Sequence, residues 1–400
     1  MKYIMADDFL FCSYGERKIL LNKATFKTML FTALDFSFFS SQLKSNNVIA
    51  FSQSQNRKDY QEYIDLIRVD IENSLILENV TKHKKVVNFA NIFTSFIQIF
   101  ISNFFFINIS LKEKLFFFLK LVYYKNCITS LEASCEEVNI KTYVPFISAV
   151  FKESMYCQFF RKRQIKSYGL QHGIHLTADY YKDFIPMDIF NVENFQADYF
   201  LSWGDFMKEV FQYSELGSEN VILAGNPKYS NYQKINISKN DLKTCIVCLA
   251  RNLYNVQNKD LLNIAGQLSK TGVKVYVKFH PKNNVADYSE ILNHYDLEIL
   301  EVQCSIAESV KSINPDFAII YNSTVYYEYY INNVITFRYT KDERDIPFGM
   351  NDGFNDFQQL MSKIVEIKNL DIEKFNIEVN NFINSFFKLG TNNYKAILNE

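Results

Sequence analysis

VKVYVKFHPK at residues 273–282 and DFAIIYNSTVYYE at residues 316–328 decide how this chain folds. In the first, a β-branched and aromatic run from Val273 to Phe279 is stopped by Pro281, so it reads as a strand that leaves His280 at its carboxyl end. In the second, Asp316–Tyr321 reads as another strand, and Ser323 or Thr324 stands where a helix N-cap belongs, ahead of a helix running to Ile331. A strand that ends in a helix start offers unpaired N–H groups to an anion, and both junctions carry groups suited to a nucleotide phosphate. Taken singly, His-Pro is an ordinary turn and Ser-Thr an ordinary cap. Their recurrence at successive strand ends is what gives them weight.

Outward from these junctions, residues 241–340 alternate strand and helix. Strands are expected at Lys243–Leu249, Val273–Phe279, Leu297–Leu300, Asp316–Tyr321 and Val334–Arg338, with helices at Asn258–Ser269, Asp287–His294, Ser305–Ser312 and Thr324–Ile331. The alternation predicts a doubly wound parallel sheet, which binds ligands outside the carboxyl ends of its strands. Arg251, His280 and Ser323 all fall there. An earlier α/β unit has strands at Lys141–Phe146, Lys166–Leu170, Tyr199–Ser202 and Val221–Ala224, with a helix over Ser148–Gln164. Four segments are expected: a domain over 1–228, a polar linker over 229–241, a second domain over 242–365 and a helical segment over 366–400.

Composition narrows the function. With 400 residues and 48% apolar content, the chain has enough material for two cores, and its 38 Phe and 26 Tyr against 11 Gly and 6 Pro argue against disorder. A net charge of −1 supplies no basic field, so no nucleic acid partner is expected. The seven cysteines lie scattered in apolar segments, as in a reduced, cytoplasmic protein. Cys245 and Cys248 sit in one strand with no second pair nearby, which reads as core packing. No metal site is expected. The acidic amino terminus does not read as a secretory signal.

Residues 86–111 contain no charge. Asn88, Asn91, Ser95, Gln98 and Ser102 recur at helical spacing, so the segment reads as an amphipathic helix. Lys82, Lys84 and Lys85 precede it, and Lys112, Lys114 and Lys120 follow. Two expectations stay open: a helix of the first domain's core, or a peripheral docking surface for an anionic inner membrane. A true span would have to bury the polar stripe.

Ser167-Tyr168-Gly169-Leu170-Gln171-His172-Gly173, Trp203-Gly204, Gly225-Asn226-Pro227, Lys278-Phe279-His280-Pro281-Lys282 and Ser323-Thr324-x-x-x-Glu328, in that order, resemble bacterial glycosyltransferases of capsule and lipooligosaccharide synthesis. The resemblance spans Lys141–Tyr339. It is nearest to the CMP-dependent sialyltransferases and polysialyltransferases, then to Kdo transferases of capsule export and CDP-glycerol glycerophosphotransferases. It implies an α/β GT-B fold, two Rossmann-like domains facing across a cleft, and transfer of a CMP-activated acidic sugar to a glycan or glycolipid acceptor. In that family the His-Pro histidine contacts the donor phosphate, the Ser/Thr pair binds it and an acid one turn on holds the ribose. Those roles fall on His280, Ser323, Thr324 and Glu328, with Gly225, Asn226, Arg251, Pro281 and Lys282 completing the expected donor site. No cofactor beyond the nucleotide sugar is implied. The acidic base motif of polysialyltransferases has no match in this chain.

For the base, His172 ranks first because it ends a strand and its ordinary pKa, near 6.5, suits proton transfer at neutral pH. Glu153 ranks second, and His175 can share the role. His172 can equally be a turn residue or a ligand of the acceptor, together with Gln171, Gly173 and His175. No Asp-x-Asp ends a strand, which argues against a metal-bridged diphosphate. The acidic pairs at Asp183–Asp188 and Asp352–Asp356 read as solvated loops. Other readings are a CDP-glycerol or UDP-sugar transferase, a UDP-sugar epimerase of the same fold, and a noncatalytic nucleotide- or glycan-binding protein.

Overall fold

The computed structural model describes residues 27, 30–31, 35–39, 48–53, 57–85, 87–101, 111–135, 138–149, 151–175, 189–232, 234–238, 241–301, 304–341 and 349–399. The chain divides into two compact units. The first takes Met1–Leu176, Met187–Lys228 and Asn392–Glu400, the second Thr177–Pro186 and Tyr229–Thr391.

In the first unit, β1 (Asp35–Phe39) pairs antiparallel with β4 (Thr81–Lys85) beside the main sheet. That sheet holds β2 (Val48–Ser52), β3 (Ser74–Ile76), β5 (Ile140–Pro145), β6 (Lys166–Leu170), β7 (Tyr199–Ser202) and β8 (Val221–Leu223) in the order β3-β2-β5-β6-β7-β8. All its pairings are parallel. The strands are buried runs rather than alternating ones, as expected of a parallel sheet covered on both faces. Chain order reverses between β2 and β5. The helix expected over Ser148–Gln164 is shorter, Phe151–Arg161, because residues 146–149 bend and turn instead. Helix Tyr394–Asn399 returns to this unit: the Tyr394 hydroxyl donates to the Gly225 carbonyl at 3.0 Å, and Asn393 N–H to the Ala224 carbonyl at 2.9 Å.

The second unit holds β9 (Thr244–Cys248), β10 (Lys274–Lys278), β11 (Glu298–Ile299), β12 (Phe317–Ile320), β13 (Ile335–Tyr339) and β14 (Gly353–Phe354) in the order β11-β10-β9-β12-β13-β14. This is the order of a doubly wound dinucleotide-binding sheet, with its reversal between β9 and β12. Each pairing is parallel. Ile246, Val247 and Ile319 are wholly buried, contributing about 1.5–3 kcal/mol per side chain. Helix Ile306–Ile313 begins with a capping box in which Ser305 and Glu308 satisfy each other's N–H groups.

Several sequence expectations change in physical detail. The segment read as a linker is tied to helix Ile372–Phe387: Ile235 N–H donates to Asn380 Oδ1 at 2.9 Å and Ile237 N–H to Asn376 Oδ1 at 2.8 Å. The pair Asp352–Asp356 is not a solvated loop. Asp352 is buried on Arg338, whose Nε lies 2.8 Å away, and accepts from Tyr326 and Tyr330. Asp356 caps helix Phe357–Asn369 by accepting from Gln359 N–H at 2.8 Å. Asp183–Asp188 and Ser102 lie outside the described residues.

The uncharged segment is a helix over Phe89–Phe96 continuing as a π-turn over Ile97–Ile101. Of its polar stripe, Asn91 and Ser95 face inward: Asn91 Nδ2 donates to Asn126 Oδ1 of helix Leu111–Cys135 at 2.8 Å and Ser95 is wholly buried. Among the described residues no helix is long and apolar enough to cross a membrane.

Cys245 and Cys248 are buried in β9, and burial raises both thiol pKa values, that of Cys248 to about 12. Cys157 is likewise buried and raised. A thiol held protonated cannot act as a nucleophile. These three thiols are therefore expected to be inert to an aromatic disulfide reagent at pH 8 until denaturant is added. Stoichiometric labelling of Cys245 or Cys248 in the native protein, read by mass spectrometry, would contradict the packing described here.

Candidate functional site

In the second unit the register sets three junctions level. Lys278 pairs with Cys248 and Ile320 pairs with Cys248, so the residues two positions beyond each strand, His280, Ala250 and Asn322, start from one line. Arg251, His280 with Lys282, and Ser323 with Thr324 thus gather at the carboxyl ends of β9, β10 and β12, beside the reversal point. That is where an open α/β sheet binds its ligand.

Each junction has a local cause. Buried Asn258 accepts from Ala250 N–H at 2.9 Å and donates to the Ala250 carbonyl at 2.9 Å, which fixes the chain just before Arg251. Asn283 Nδ2 donates to that same carbonyl at 3.0 Å, joining the β9 and β10 loops, while its own Oδ1 is buried without a partner. Such an orphan acceptor costs stability unless a donor reaches it. Arg251 is exposed.

Pro281 bends the chain so that Lys282 N–H donates to His280 Nδ1 at 3.1 Å. With Nδ1 accepting, neutral His280 carries its proton on Nε2, a donor fit for a phosphate oxygen. Lys282 is exposed beside it. After β12, Asn322 adopts a left-handed φ of 42°, and Ser323 Oγ accepts a long bond, 3.4 Å, from Val325 N–H. Thr324 holds the N-cap position of helix Val325–Ile331 without a side-chain capping bond, so the expected cap is positional and its hydroxyl is not spent on the helix. Glu328, one turn on, is half-buried and accepts from the Tyr229 hydroxyl, whose pKa is raised first by burial and then by this carboxylate.

The other expected residues belong to the first unit. The Ser167–Gly173 motif is largely structural. Ser167 N–H and hydroxyl both donate to Asp198, at 2.9 and 2.7 Å, and a Cβ on Gly169 would stand 2.5 Å from the Phe195 ring. Gln171 is wholly buried, accepting from Trp203 N–H at 2.6 Å and donating to the Gly173 carbonyl at 2.8 Å, so it shapes the loop after β6. A Cβ on Gly173 would stand 4.0 Å from the His175 ring, an ordinary contact. His172 is half-buried against Phe146 and His175, with ring centroids 5.5 and 4.5 Å away. Its Nδ1 lies 3.4 Å from the Leu170 carbonyl, the side on which a proton leaves Nε2 as the acceptor.

Glu153 sits at the β2/β5 reversal, wholly buried, accepting from Phe146 N–H at 2.9 Å and Ser52 Oγ at 3.1 Å. There it positions the loop under His172 and presents no surface to a substrate. Gly225 adopts φ 87° in the turn after β8, and buried Asn226 accepts from Lys228 N–H at 3.0 Å. Gly225 N–H donates to the Ser202 carbonyl at 3.1 Å and its carbonyl accepts from Tyr394. Asn258, Asn283 and Tyr229 were missed from sequence. A cleft of about 200 Å³ on the second unit, walled by Lys363, Glu366, Lys374 and Glu378, includes none of the expected site residues.

No family model matches the chain, and no curated protein matches it. Solved structures do. A Listeria monocytogenes protein assigned as a UDP-N-acetylglucosamine 2-epimerase is similar at 12% identity and TM-score 0.50, over 86% of this chain and 94% of that one. The UDP-GlcNAc 2-epimerase of Neisseria meningitidis bound to UDP-GlcNAc gives 13% and 0.49 over 88% and 98%, and the wall teichoic acid polymerase TagF gives 13% and 0.44 over 97% and 96%. At such identities the likeness concerns the fold: two Rossmann-like domains of the GT-B type.

His175 is buried with Nε2 unpartnered, and its pKa is lowered well below 6.5, first by burial and then by His172. The folded state keeps it neutral while the unfolded chain takes up a proton below pH 6.5, so stability present above that pH is lost as pH falls. The slope is about 1.4 kcal/mol per pH unit for one proton. Denaturant titrations at pH 7, 6 and 5 should show this loss, and His175→Asn should flatten it. An unchanged slope in that variant would contradict the neutral, buried assignment.

Proposed function

We propose that the chain transfers a sugar from a nucleotide-activated donor to a glycan acceptor, with the nucleotide phosphate held at the carboxyl rim of the second unit. The observation that carries this reading is the level convergence of Arg251, His280 with Lys282, and Ser323 with Thr324 beside the β9/β12 reversal. In the reaction the acceptor oxygen forms a bond to the anomeric carbon as the bond from that carbon to the phosphate oxygen breaks. The acceptor proton passes to a base, and the nucleotide leaves as an anion. Developing charge on the leaving phosphate is met by His280 Nε2–H, Lys282 and Arg251, each charged hydrogen bond being worth about 1.5–3 kcal/mol. His172 is the base of this reading, with Glu153 fixing the Phe146 loop against which it packs. Glu328, oriented by Tyr229, is assigned to the ribose.

The motif resemblance favours a cytidine nucleotide carrying an acidic sugar. A second reading, a UDP-sugar, is favoured by the fold neighbour assigned as a UDP-N-acetylglucosamine 2-epimerase. Thermal-shift measurements with CMP, CDP, UDP and GDP separate the two, since a ligand at about 100 times its Kd stabilises by about 2.7 kcal/mol. CMP or CDP is expected to give the largest shift, and stabilisation by UDP alone would move the donor to the second reading. His280→Ala is expected to lower turnover by about 10² with an unchanged melting temperature. Turnover at the unmodified rate would remove His280 from the phosphate site. A protein that binds nucleotide yet neither transfers nor hydrolyses any nucleotide sugar would be a noncatalytic one.

A further inference from the structure

Helix Phe89–Phe96 is turned the wrong way round for a core helix. Its inner side carries Asn91, bonded to Asn126, with wholly buried Ser95, while Ile92 packs near Leu119 and Val122. Its outer side carries Phe89, Phe93 and Phe96, at i, i+4 and i+7, exposed to 78, 65 and 45%. Val87 and Ile101, just beyond its two ends, and Leu111 and Leu115 at the start of helix Leu111–Cys135 are exposed as well. Scattered single apolar residues need no explanation, but a contiguous aromatic face does.

Charge selects the occupant. Residues 81–125 contain seven lysines and one acidic residue, Glu113, in a chain whose net charge is −1. Lys82, Lys84 and Lys85 lie in β4, immediately before the helix, and Lys112, Lys114, Lys120 and Lys125 lie in the helix that carries Leu111 and Leu115. A second copy of the chain would bring two such basic segments together and be repelled. An anionic, apolar layer answers both features at once: acyl chains for the phenylalanines, headgroup phosphates for the lysines.

We propose that this face docks the protein peripherally on an anionic lipid bilayer, the three phenylalanines inserting at the boundary between headgroups and acyl chains while the net positive charge of the flanking segments attracts the headgroup phosphates. The inward polar stripe belongs to the same design. Asn91 bonds to Asn126 and Thr129 of helix Leu111–Cys135 and Ser95 is buried on the same side, which leaves the aromatic side to the lipid.

The full chain should float with vesicles of phosphatidylglycerol in phosphatidylcholine at low salt and partition far less onto phosphatidylcholine alone. About 1 M salt, where the Debye length is about 3 Å, should release most of it. Phe89→Ser, Phe93→Ser and Phe96→Ser together should lower the partition coefficient at least about tenfold, with the fold checked by the melting temperature because Phe96 also packs on Phe100 and Phe118. The lipid and salt arms use the unmodified chain, so they decide the matter even if the triple variant folds poorly. No flotation with anionic vesicles at low salt, or full flotation of a folded triple variant, would overturn the proposal. So would a dimer of the unmodified chain that the triple variant dissociates, since the face would then be an interface between copies.

Discussion

Strand β9 pairs on both sides, with β10 and with β12, and the chain reaches these two neighbours by crossovers that run in opposite directions. Everything assigned to the second unit depends on that double pairing. Parallel strands bring their carboxyl ends to one edge, and the reversal separates the two loops that leave it, so a ligand can approach between them. Two asparagines hold this edge. Asn258 closes on both backbone groups of Ala250 and Asn283 ties the β10 loop to the same carbonyl, so Arg251 and His280 issue from loops that share one anchor. Removing the Asn258 side chain would leave the Ala250 N–H without its partner and the Ala250 carbonyl with Asn283 alone, at a cost of about 1–3 kcal/mol for the stranded donor.

The first unit uses the same logic with a buried carboxylate. Glu153 accepts from the backbone of the β5 loop and from the Ser52 hydroxyl at the end of β2, so it ties together the two strands flanking the reversal. Phe146, fixed in this way, stacks on Tyr60 at 4.1 Å and flanks the His172 ring. Glu153, wholly buried, acts through the residues it positions.

The junctions were legible in sequence because they are local. A β-branched run ended by His-Pro, and an apolar run ended by Asn-Ser-Thr, state their own boundaries, and the strands and helices of residues 244–339 lie within a few residues of where periodicity put them. What was not legible depends on partners far along the chain. Nothing near Asp352 announces Arg338 and two buried tyrosines, so it read as a loop acid. Nothing near Glu328 announces Tyr229. The helix of residues 89–101 shows the limit most clearly. Its period gave a polar and an apolar side, but which side faces inward was decided by Asn126 and Thr129 on the neighbouring helix, at 2.8 and 3.3 Å from Asn91. Motif residues such as Gln171 and Gly225 were legible as a pattern, yet their hydrogen bonds run to Trp203 and Tyr394, far along the chain, which the pattern does not announce.

Hydrogen exchange followed by mass spectrometry, with and without saturating nucleotide, tests the central claim most directly. Slowed exchange is expected in peptides that contain Ala250–Arg251, His280–Asn283 and Asn322–Thr324 together, because one phosphate group would draw on all three strand-end loops. Protection confined to other segments, or to only one of these loops, would contradict the assignment of the nucleotide to the carboxyl rim of the second unit.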